Sequence, residues 1–220
     1  MATALVLGAT GLVGKQLTQL LLTDAHWQEV HVFVRRPTGI THPKLREHVI
    51  DFDQPGQWRQ QVKGTVLFSA LGTTLAAAGS KQAQYKVDYT YQYQFAAAAA
   101  ANGVTHYVLV SSANAATDSF FFYSRMKGEL ERDISQLSFQ HISIMQPGLL
   151  AGARTEKRLG EQLALSLSGA LQFVPGLGVT KSIQGFDVAR AMIVAARTQF
   201  AKHKVYSMKE LFQLVQQWPV

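Results

Sequence analysis

The chain opens with Thr3-Ala-Leu-Val-Leu-Gly8-Ala-Thr-Gly11-Leu-Val-Gly14-Lys15, and this stretch decides the fold. Its first part, from Ala4 to Leu7, is a short apolar run of the kind found in buried parallel strands. Three glycines follow with the spacing G-x-x-G-x-x-G, and an apolar pattern of helical period begins among them. The stretch therefore predicts a strand, a glycine turn and a helix in direct succession.

This order of elements is what a dinucleotide site needs. Gly8 allows a tight turn, Gly11 lets backbone amides approach a pyrophosphate, and Gly14 lets the helix and the strand pack closely. The helix N-terminus offers N–H groups and a positive dipole end to the phosphates. The alternative is an ordinary strand-to-helix turn with spare glycines, which this sequence context makes less favoured. The residues expected to contact the cofactor here are Gly8, Thr10, Gly11, Leu12, Val13 and Gly14.

The composition limits the classes of function. The 220 residues suit a single domain, and the absence of cysteine excludes disulfides and thiolate chemistry. The net charge of +7 fits either attraction of an anionic dinucleotide or a basic surface without a specific ligand. There is no cluster of five Lys or Arg and no metal-ligand spacing among the seven histidines. We therefore expect neither a metal site nor a specific nucleic-acid partner.

Two further features bear on location. No apolar run reaches the roughly 18 residues that span a bilayer, so we expect no membrane partner. Met1 leads directly into the first strand without a basic segment before it, which does not resemble a secretory signal. The sequence thus predicts a cytoplasmic protein.

Strands and helices alternate through the first two thirds of the chain. The strands are predicted at 4–7, 30–34, 48–50, 65–69, 105–110 and 141–145, and the long helices at 81–102 and 121–137. This rhythm predicts an α/β fold, a Rossmann-type doubly wound parallel sheet with helices on both faces.

The pattern changes after Pro147-Gly148. Residues 149–180 show no clear strand, and helices are predicted within 156–171, over 186–197 and over 209–217, with a short strand at 205–207. We interpret 1–220 as one domain, with a core of about 1–148 and a small C-terminal substrate or lid region of about 149–220.

The residues after the second strand indicate which ribose is bound. A carboxylate there would accept hydrogen bonds from a 2′-hydroxyl, but this chain has Arg35-Arg36. Because a guanidinium can bind a 2′-phosphate with two hydrogen bonds, the pair favours NADP, with NADPH preferred over NADH. The alternative is a surface arginine pair at a strand end. Further cofactor contacts are expected after the third and fourth strands, from Asp51, Phe52, Ala70, Leu71 and Gly72.

The chemical signal lies after the fifth strand. That strand ends in Ser111-Ser112, and Tyr123 and Lys127 follow at the i, i+4 spacing that places them on one face of a helix. A nearby ammonium lowers the pKa of a phenol, so the pair can exchange a proton with a carbonyl/alcohol couple. One of the two serines can hold the carbonyl oxygen, and Lys127 can also reach the ribose hydroxyls.

These motifs resemble the short-chain dehydrogenase/reductase family, of the extended or atypical kind. The resemblance rests on the glycine turn, Ser111-Ser112, Tyr123 with Lys127, and Pro147-Gly148. More narrowly, 123–131 and 146–150 resemble the Tat-interacting-protein-like oxidoreductases. The resemblance implies NADP-linked carbonyl reduction or alcohol oxidation, with Tyr123 as the acid/base and Lys127 as its electrostatic and ribose partner. It also places Pro147 and Leu149 along the nicotinamide.

Two departures from the family pattern leave an alternative open. Asp88 stands where many extended members have Asn, and the serine-to-tyrosine spacing is shorter than in many relatives. The first hypothesis is an oxidoreductase acting on a small carbonyl or alcohol substrate. The alternative is an NADPH-binding regulatory or assembly protein with little or no turnover. The leucines within 163–171 would also allow a homodimer.

Overall fold

The structure is a computed structural model, and it describes residues 2–151, 182–198 and 201–218. The strands in these ranges are β1 (Ala2–Leu7), β2 (Trp27–Val34), β3 (Leu45–Val49), β4 (Val66–Ser69), β5 (His106–Val110), β6 (His141–Met145), β7 (Leu150–Ala151), β8 (Ile183–Gln184) and β9 (His203–Tyr206). Seven of them form one parallel sheet in the order β3-β2-β1-β4-β5-β6-β9. This is the Rossmann order with one added strand, so the predicted fold class is confirmed.

The described helices surround this sheet. They are α1 (Leu12–Thr23), α2 (Pro55–Trp58), α3 (Leu75–Ala78), α4 (Lys81–Tyr85), α5 (Gln92–Ala101), α6 (Phe122–Ile134), α7 (Gly185–Thr198) and α8 (Met208–Gln216). A 3₁₀ turn at Arg59–Gln61 follows α2, and a π-helical segment at Lys86–Tyr91 joins α4 to α5. Among these elements, no helix is long and apolar enough to span a membrane.

The sheet separates two apolar cores because successive strand residues point to opposite faces. In β1, Ala4 and Val6 pack on the side of α1, α7 and α8, whereas Leu5 and Leu7 pack on the side of α5 and α6. All four side chains are fully buried. Burial on both faces is the reason that the first strand is a continuous apolar run.

Some boundaries differ from those predicted from the sequence. β2 begins at Trp27 rather than Val30, and β3 spans Leu45–Val49 although its middle residues are polar. The first residues of β2 pair with β1, from Trp27 with Ala2, and β3 pairs with β2 from Leu45 with Val30. Backbone pairing of this kind extends a strand beyond its apolar run. The π-helical segment also interrupts what the sequence predicted as one regular helix over 81–102.

The described parts of the C-terminal region belong to the layers of the sheet. β9 pairs with β6 as the seventh strand, and α7 packs beside α1 over one face. The short strands β7 and β8 pair with each other, a contact that the sequence did not predict. The helix predicted within 156–171 lies outside the described residues, so the lid stays a prediction.

The strand order places the sequence motifs at one edge. Since all seven strands are parallel, the glycine turn, Ala70–Gly72, Ser111-Ser112 and Pro147 all follow strands at their carboxyl ends. The order reverses between β1 and β4, and a crevice at such a switch point is where open α/β sheets bind ligands. The fold therefore brings the predicted cofactor and chemical residues to a common edge.

We predict that Gly14→Ala destabilises the protein, because a Cβ at Gly14 would collide with the carbonyl oxygen of Gly8. Overpacking of this kind costs about 1–3 kcal/mol, measured as the free energy of unfolding in urea. Gly56→Ala is the matched control, since a Cβ there meets no atom within 4 Å. Equal stability of the two variants would contradict the close packing of α1 on the glycine turn.

Candidate active site

The glycine turn is shaped by close backbone contacts. Gly8 has a φ of 86°, and a Cβ on it would lie 2.6 Å from backbone atoms of Ala70 and Leu71. The turn continues with a hydrogen bond of 3.0 Å from the Gly11 N–H to the Gly8 carbonyl. The contacts of Gly8, and the collision of a Gly14 Cβ with the Gly8 carbonyl oxygen, show why the first and third glycines of the motif accept no side chain.

The N-terminus of α1 is open to an anionic ligand. No side chain caps it, no acidic residue lies in its first turn, and Thr10 and Gly11 before it are exposed. The helix dipole and the N–H groups of its first turn therefore face the solvent at the glycine turn. This cradle, which only a backbone without side chains can form, fits a dinucleotide pyrophosphate.

The arginine pair lies at the carboxyl end of β2. Arg35 and Arg36 are both exposed, and in the described part of the chain neither has a carboxylate at ion-pair distance. Their guanidinium groups are therefore available to an external anion. Their predicted contact with a 2′-phosphate stays a prediction.

The structure separates the two residues predicted after β3. Asp51 is exposed, and its carboxylate accepts a hydrogen bond of 2.9 Å from the Asp53 N–H. Phe52 is 5% exposed and packs near Trp58, Tyr91 and Phe95. The side chain of Phe52 thus belongs to the core, and Asp51 is the member of the pair that faces solvent.

The remaining predicted cofactor residues border the same edge. Ala70 and Leu71 are half-buried, and Gly72 is exposed. Pro147 is buried, and its carbonyl accepts a hydrogen bond of 3.0 Å from the Ala113 N–H. Leu149 is 44% exposed, which leaves its apolar side chain accessible from solvent.

Tyr123 and Lys127 lie on one face of α6, as their spacing predicted. The Lys127 Nζ is 5.9 Å from the centroid of the Tyr123 ring, and Tyr123 is half-buried. Lys127 is 3% exposed, and its Nζ lies 3.2 Å from Asp88 Oδ1. Burial alone would lower the pKa of Lys127, but the Asp88 carboxylate, together with smaller contributions from Tyr123 and Glu131, raises that pKa above its ordinary value. The lysine is therefore held as an ammonium beside the phenol.

The sequence marked Asp88 as a departure from a family pattern but did not predict its partners. Asp88 is 1% exposed and comes from the π-helical segment. Its Oδ2 accepts a hydrogen bond of 2.8 Å from the Thr73 N–H, in the loop after β4. Burial raises the pKa of Asp88, and the Lys127 ammonium opposes that shift. A single carboxylate thus contacts both the lysine and the loop that follows β4.

The structure distinguishes the two serines. Ser111 is buried and donates a hydrogen bond to Glu131 Oε1, while the Gln146 side-chain amide donates to both Glu131 oxygens at 3.1 and 3.0 Å. Burial raises the pKa of Glu131. Ser112 is half-buried, and its hydroxyl has no hydrogen bond to another described residue. Glu131 and Gln146 were not predicted, although Glu131 follows Lys127 by one helical turn.

A groove lies on the outer side of α4 and α6. A cavity of about 410 Å³ is lined by Lys81, Gln82, Tyr85, Lys86, Thr90 and Phe122. Tyr85 and Tyr89 each donate a hydrogen bond across to α6, to Glu129 at 3.0 Å and to Asp133 at 2.6 Å. Burial and the Glu129 carboxylate raise the pKa of Tyr85 to about 12. These two hydrogen bonds therefore connect α4 and the π-helical segment to α6.

No group of three or more His, Asp or Glu side chains in the described ranges is arranged to hold a metal ion.

Comparison with known proteins agrees with this arrangement. The sequence pattern of a family described as NAD(P)H-binding matches residues 8–172, from the first glycine of the turn onward. The chain belongs to this NAD(P)H-binding family. The family match confirms NAD(P) as the class of cofactor, and it leaves the choice between NAD and NADP open.

Curated relatives of this family member carry the name FMP52. The mitochondrial protein FMP52-1 of Scheffersomyces stipitis is 36% identical over 226 residues, which cover 96% of this chain and 98% of that protein. The mitochondrial protein FMP52 of Saccharomyces cerevisiae is 40% identical over 158 residues, covering 70% and 68%. The sequence predicted a Tat-interacting-protein-like branch, and these relatives have a different name. The cytoplasmic location predicted from the sequence is wrong, since these relatives are named as mitochondrial proteins.

Solved structures share the fold. The dTDP-glucose 4,6-dehydratase DesIV of Streptomyces venezuelae, with NAD bound, has a TM-score of 0.71 and 14% identity, covering 98% of this chain and 80% of that one. MoeE5 with UDP-glucuronic acid and NAD has a TM-score of 0.70 and 17% identity, covering 94% and 76%. A UDP-glucose 4-epimerase of Thermotoga maritima, with UDP-glucose, has a TM-score of 0.70 and 14% identity, covering 98% and 82%. At these identities the likeness shows the fold alone.

We predict that Lys127→Met lowers the free energy of unfolding by about 3–5 kcal/mol, because it leaves Asp88 buried without its counter-ion. The double variant Asp88→Asn/Lys127→Met removes both charges and should recover much of this loss. Urea unfolding of wild type, both single variants and the double variant measures the coupling. Losses that simply add in the double variant would contradict a direct ion pair.

Proposed function

We propose that the protein is an NADPH-dependent oxidoreductase that interconverts a carbonyl compound and an alcohol. The observation that carries this proposal is the placement of Tyr123 beside a buried, ion-paired Lys127, at the sheet edge that also bears the open glycine turn. A structural lysine on a helix is ordinarily exposed, whereas this one is held inside by a carboxylate. A buried ammonium next to a phenol is the arrangement that proton exchange with a carbonyl oxygen requires.

The residues take the following roles in this proposal. The amides at the start of α1 and the glycine turn bind the pyrophosphate, and Arg35 with Arg36 binds the 2′-phosphate. When bound, the nicotinamide supplies or accepts the hydride. The Tyr123 hydroxyl gives its proton to the carbonyl oxygen in reduction and takes it back in oxidation. Lys127 stabilises the phenolate form of Tyr123 and offers further N–H donors to the ribose hydroxyls.

We assign the carbonyl-holding role to Ser112 rather than Ser111. The Ser111 hydroxyl is occupied by Glu131 in a buried position, whereas the Ser112 side chain is half-buried at the edge of the sheet. A hydroxyl that no other described residue engages can donate to a substrate oxygen without losing a hydrogen bond to that part of the chain. Ser111 then acts as part of the support beneath the site.

The names of the relatives support a mitochondrial location for this oxidoreductase. Fractionation of cells that express the full chain with a C-terminal tag tests this location. We expect the tag in the mitochondrial fraction, and recovery with soluble cytosolic markers would contradict it.

We predict that Tyr123→Phe lowers carbonyl reduction by at least about 100-fold while NADPH binding is nearly unchanged, because only the exchangeable proton is lost. NADPH consumption with a panel of aldehydes, ketones and quinones measures the rate. Tyr93→Phe, a half-buried tyrosine that stacks on Tyr89, is the matched control. An active Tyr123→Phe variant would remove the phenol from the mechanism. No turnover by wild type with any compound would favour an NADPH-binding regulatory protein.

We predict that Arg35→Ala weakens NADPH binding by about 1.5–3 kcal/mol and leaves NADH binding unchanged, since a charge-assisted hydrogen bond to the 2′-phosphate is lost. Calorimetric titration with both cofactors gives the two affinities. Arg59→Ala, another exposed arginine on the 3₁₀ turn, serves as the control. Equal affinity of the wild type for NADPH and NADH would reject the assignment of the arginine pair.

A further inference from the structure

We propose that Asp88 is a positioning residue that joins the catalytic lysine to the cofactor-binding loop after β4, so that the Lys127 ammonium is kept charged and in place when the dinucleotide binds. This inference rests on the proposed function, because it concerns how Lys127 is presented to the cofactor. It goes beyond the proposed function because it assigns to the Asp88 carboxylate the role of linking Lys127 to the loop after β4, which the sequence motifs did not predict for any residue.

The Asp88 carboxylate contacts two different elements. Oδ1 of Asp88 lies 3.2 Å from Lys127 Nζ on α6, and Oδ2 accepts the Thr73 N–H at 2.8 Å. Asp88 and Lys127 are 1% and 3% exposed, so water screens neither contact. Movement of the loop after β4 therefore changes the position of Lys127 through Asp88, and movement of Lys127 changes the position of the loop in the same way.

The backbone around Asp88 determines where its side chain lies. The residue lies in the π-helical segment, and its carbonyl accepts a hydrogen bond of 2.7 Å from the Gln92 side-chain amide. The Gln92 amide oxygen in turn accepts from the Ser69 hydroxyl at 2.6 Å, at the last residue of β4. π-helical segments occur often at functional sites. Here the Gln92 side chain connects the π-helical segment to the end of β4.

The space for the Asp88 carboxylate depends on the absence of a side chain at Gly72. A Cβ at Gly72 would come within 3.2 Å of Asp88 Oδ1, a contact tighter than side chains ordinarily make. Gly72 is exposed on the other side, in the stretch that the sequence assigned to the cofactor. Gly72 therefore contacts the Asp88 carboxylate on one side and is exposed where the sequence predicts the cofactor.

The consequence concerns the charge of Lys127. In the described residues the titratable groups that face it are Asp88 from the π-helical segment, and Tyr123 and Glu131 from its own helix. Tyr123 is neutral when it acts as a proton donor, and of the two carboxylates only that of Asp88 lies at ion-pair distance from the Lys127 Nζ, at 3.2 Å. Asp88 is thus the principal counter-ion. Without its charge, desolvation would favour the neutral amine of Lys127 as the pH rises.

The test uses Asp88→Asn, which keeps the shape and the acceptor for Thr73 but removes the charge. We expect the NADPH affinity of this variant, followed by cofactor fluorescence, to fall about tenfold between about pH 6.5 and about pH 9, as Lys127 loses its proton. The control is Asp133→Asn, which removes a carboxylate that accepts a hydrogen bond from Tyr89 and does not contact Lys127. The NADPH affinities of wild type and of this control should fall by the same, much smaller factor over this pH range. In Asp88→Asn/Lys127→Met the added pH dependence should vanish.

The outcomes separate the two proposals. A uniform loss of affinity at all pH values, or a profile equal to that of Asp133→Asn, overturns the positioning role while NADPH binding by wild type stands. Absence of NADPH binding by wild type overturns the proposed function, and this inference with it.

A second measurement does not depend on the folding of Asp88→Asn. The amide resonance of Thr73 reports the ionisation of Asp88 through their hydrogen bond. We expect it to titrate at a higher pH in Lys127→Met than in wild type, since the carboxylate has then lost its counter-ion. An unchanged Thr73 titration in Lys127→Met would show that the lysine and the loop are not joined through Asp88.

Discussion

At the carboxyl ends of β1 and β4, backbone segments approach one another more closely than side chains would permit. The peptide between Ala70 and Leu71 occupies the space of a Gly8 side chain, and the Gly8 carbonyl occupies that of Gly14. Because of these contacts, α1 begins directly above the end of β1 with its N-terminus open to the sheet edge. The position of the proposed phosphate site is therefore fixed by backbone packing rather than by any side chain.

The same contacts extend to the chemical residues. The loop that packs against Gly8 continues to Thr73, whose N–H is held by Asp88, and Asp88 in turn holds Lys127. On the other side, a Cβ at Gly185 would come within 3.0 Å of the Leu12 carbonyl, so the start of α7 packs tightly on the start of α1. The glycine turn and the start of α1 thus contact both the loop that leads to Asp88 and Lys127 and the start of α7.

The sequence predicted the features that local spacing determines. The glycine spacing between a strand and a helix, the i, i+4 spacing of Tyr123 and Lys127, and the alternation of strands and helices each follow from the period of a single element. The Rossmann-type sheet was confirmed, as was NAD(P) as the class of cofactor. These features require no knowledge of which distant residues meet.

The features that the sequence missed depend on long-range contacts. The Asp88 to Lys127 ion pair and the Ser111, Glu131 and Gln146 network join residues on different elements, so no local pattern marks them. The burial of Phe52 likewise follows from the aromatic cluster beneath it, although its position after β3 indicated a ligand contact. The location of the protein was mispredicted because a start that leads into a strand says little about targeting, whereas the names of whole-length relatives do.

We propose that the backbone at the start of α1 binds the pyrophosphate of a nicotinamide dinucleotide, and the other proposed roles depend on this contact. The most direct measurement is an NMR titration of the isotope-labelled protein with NADPH, observing the backbone amides. We expect saturable shifts of the Thr10, Gly11, Leu12 and Val13 amides at a common apparent affinity. Saturable shifts confined to other parts of the chain, or no saturable shifts at any concentration of cofactor, would contradict it.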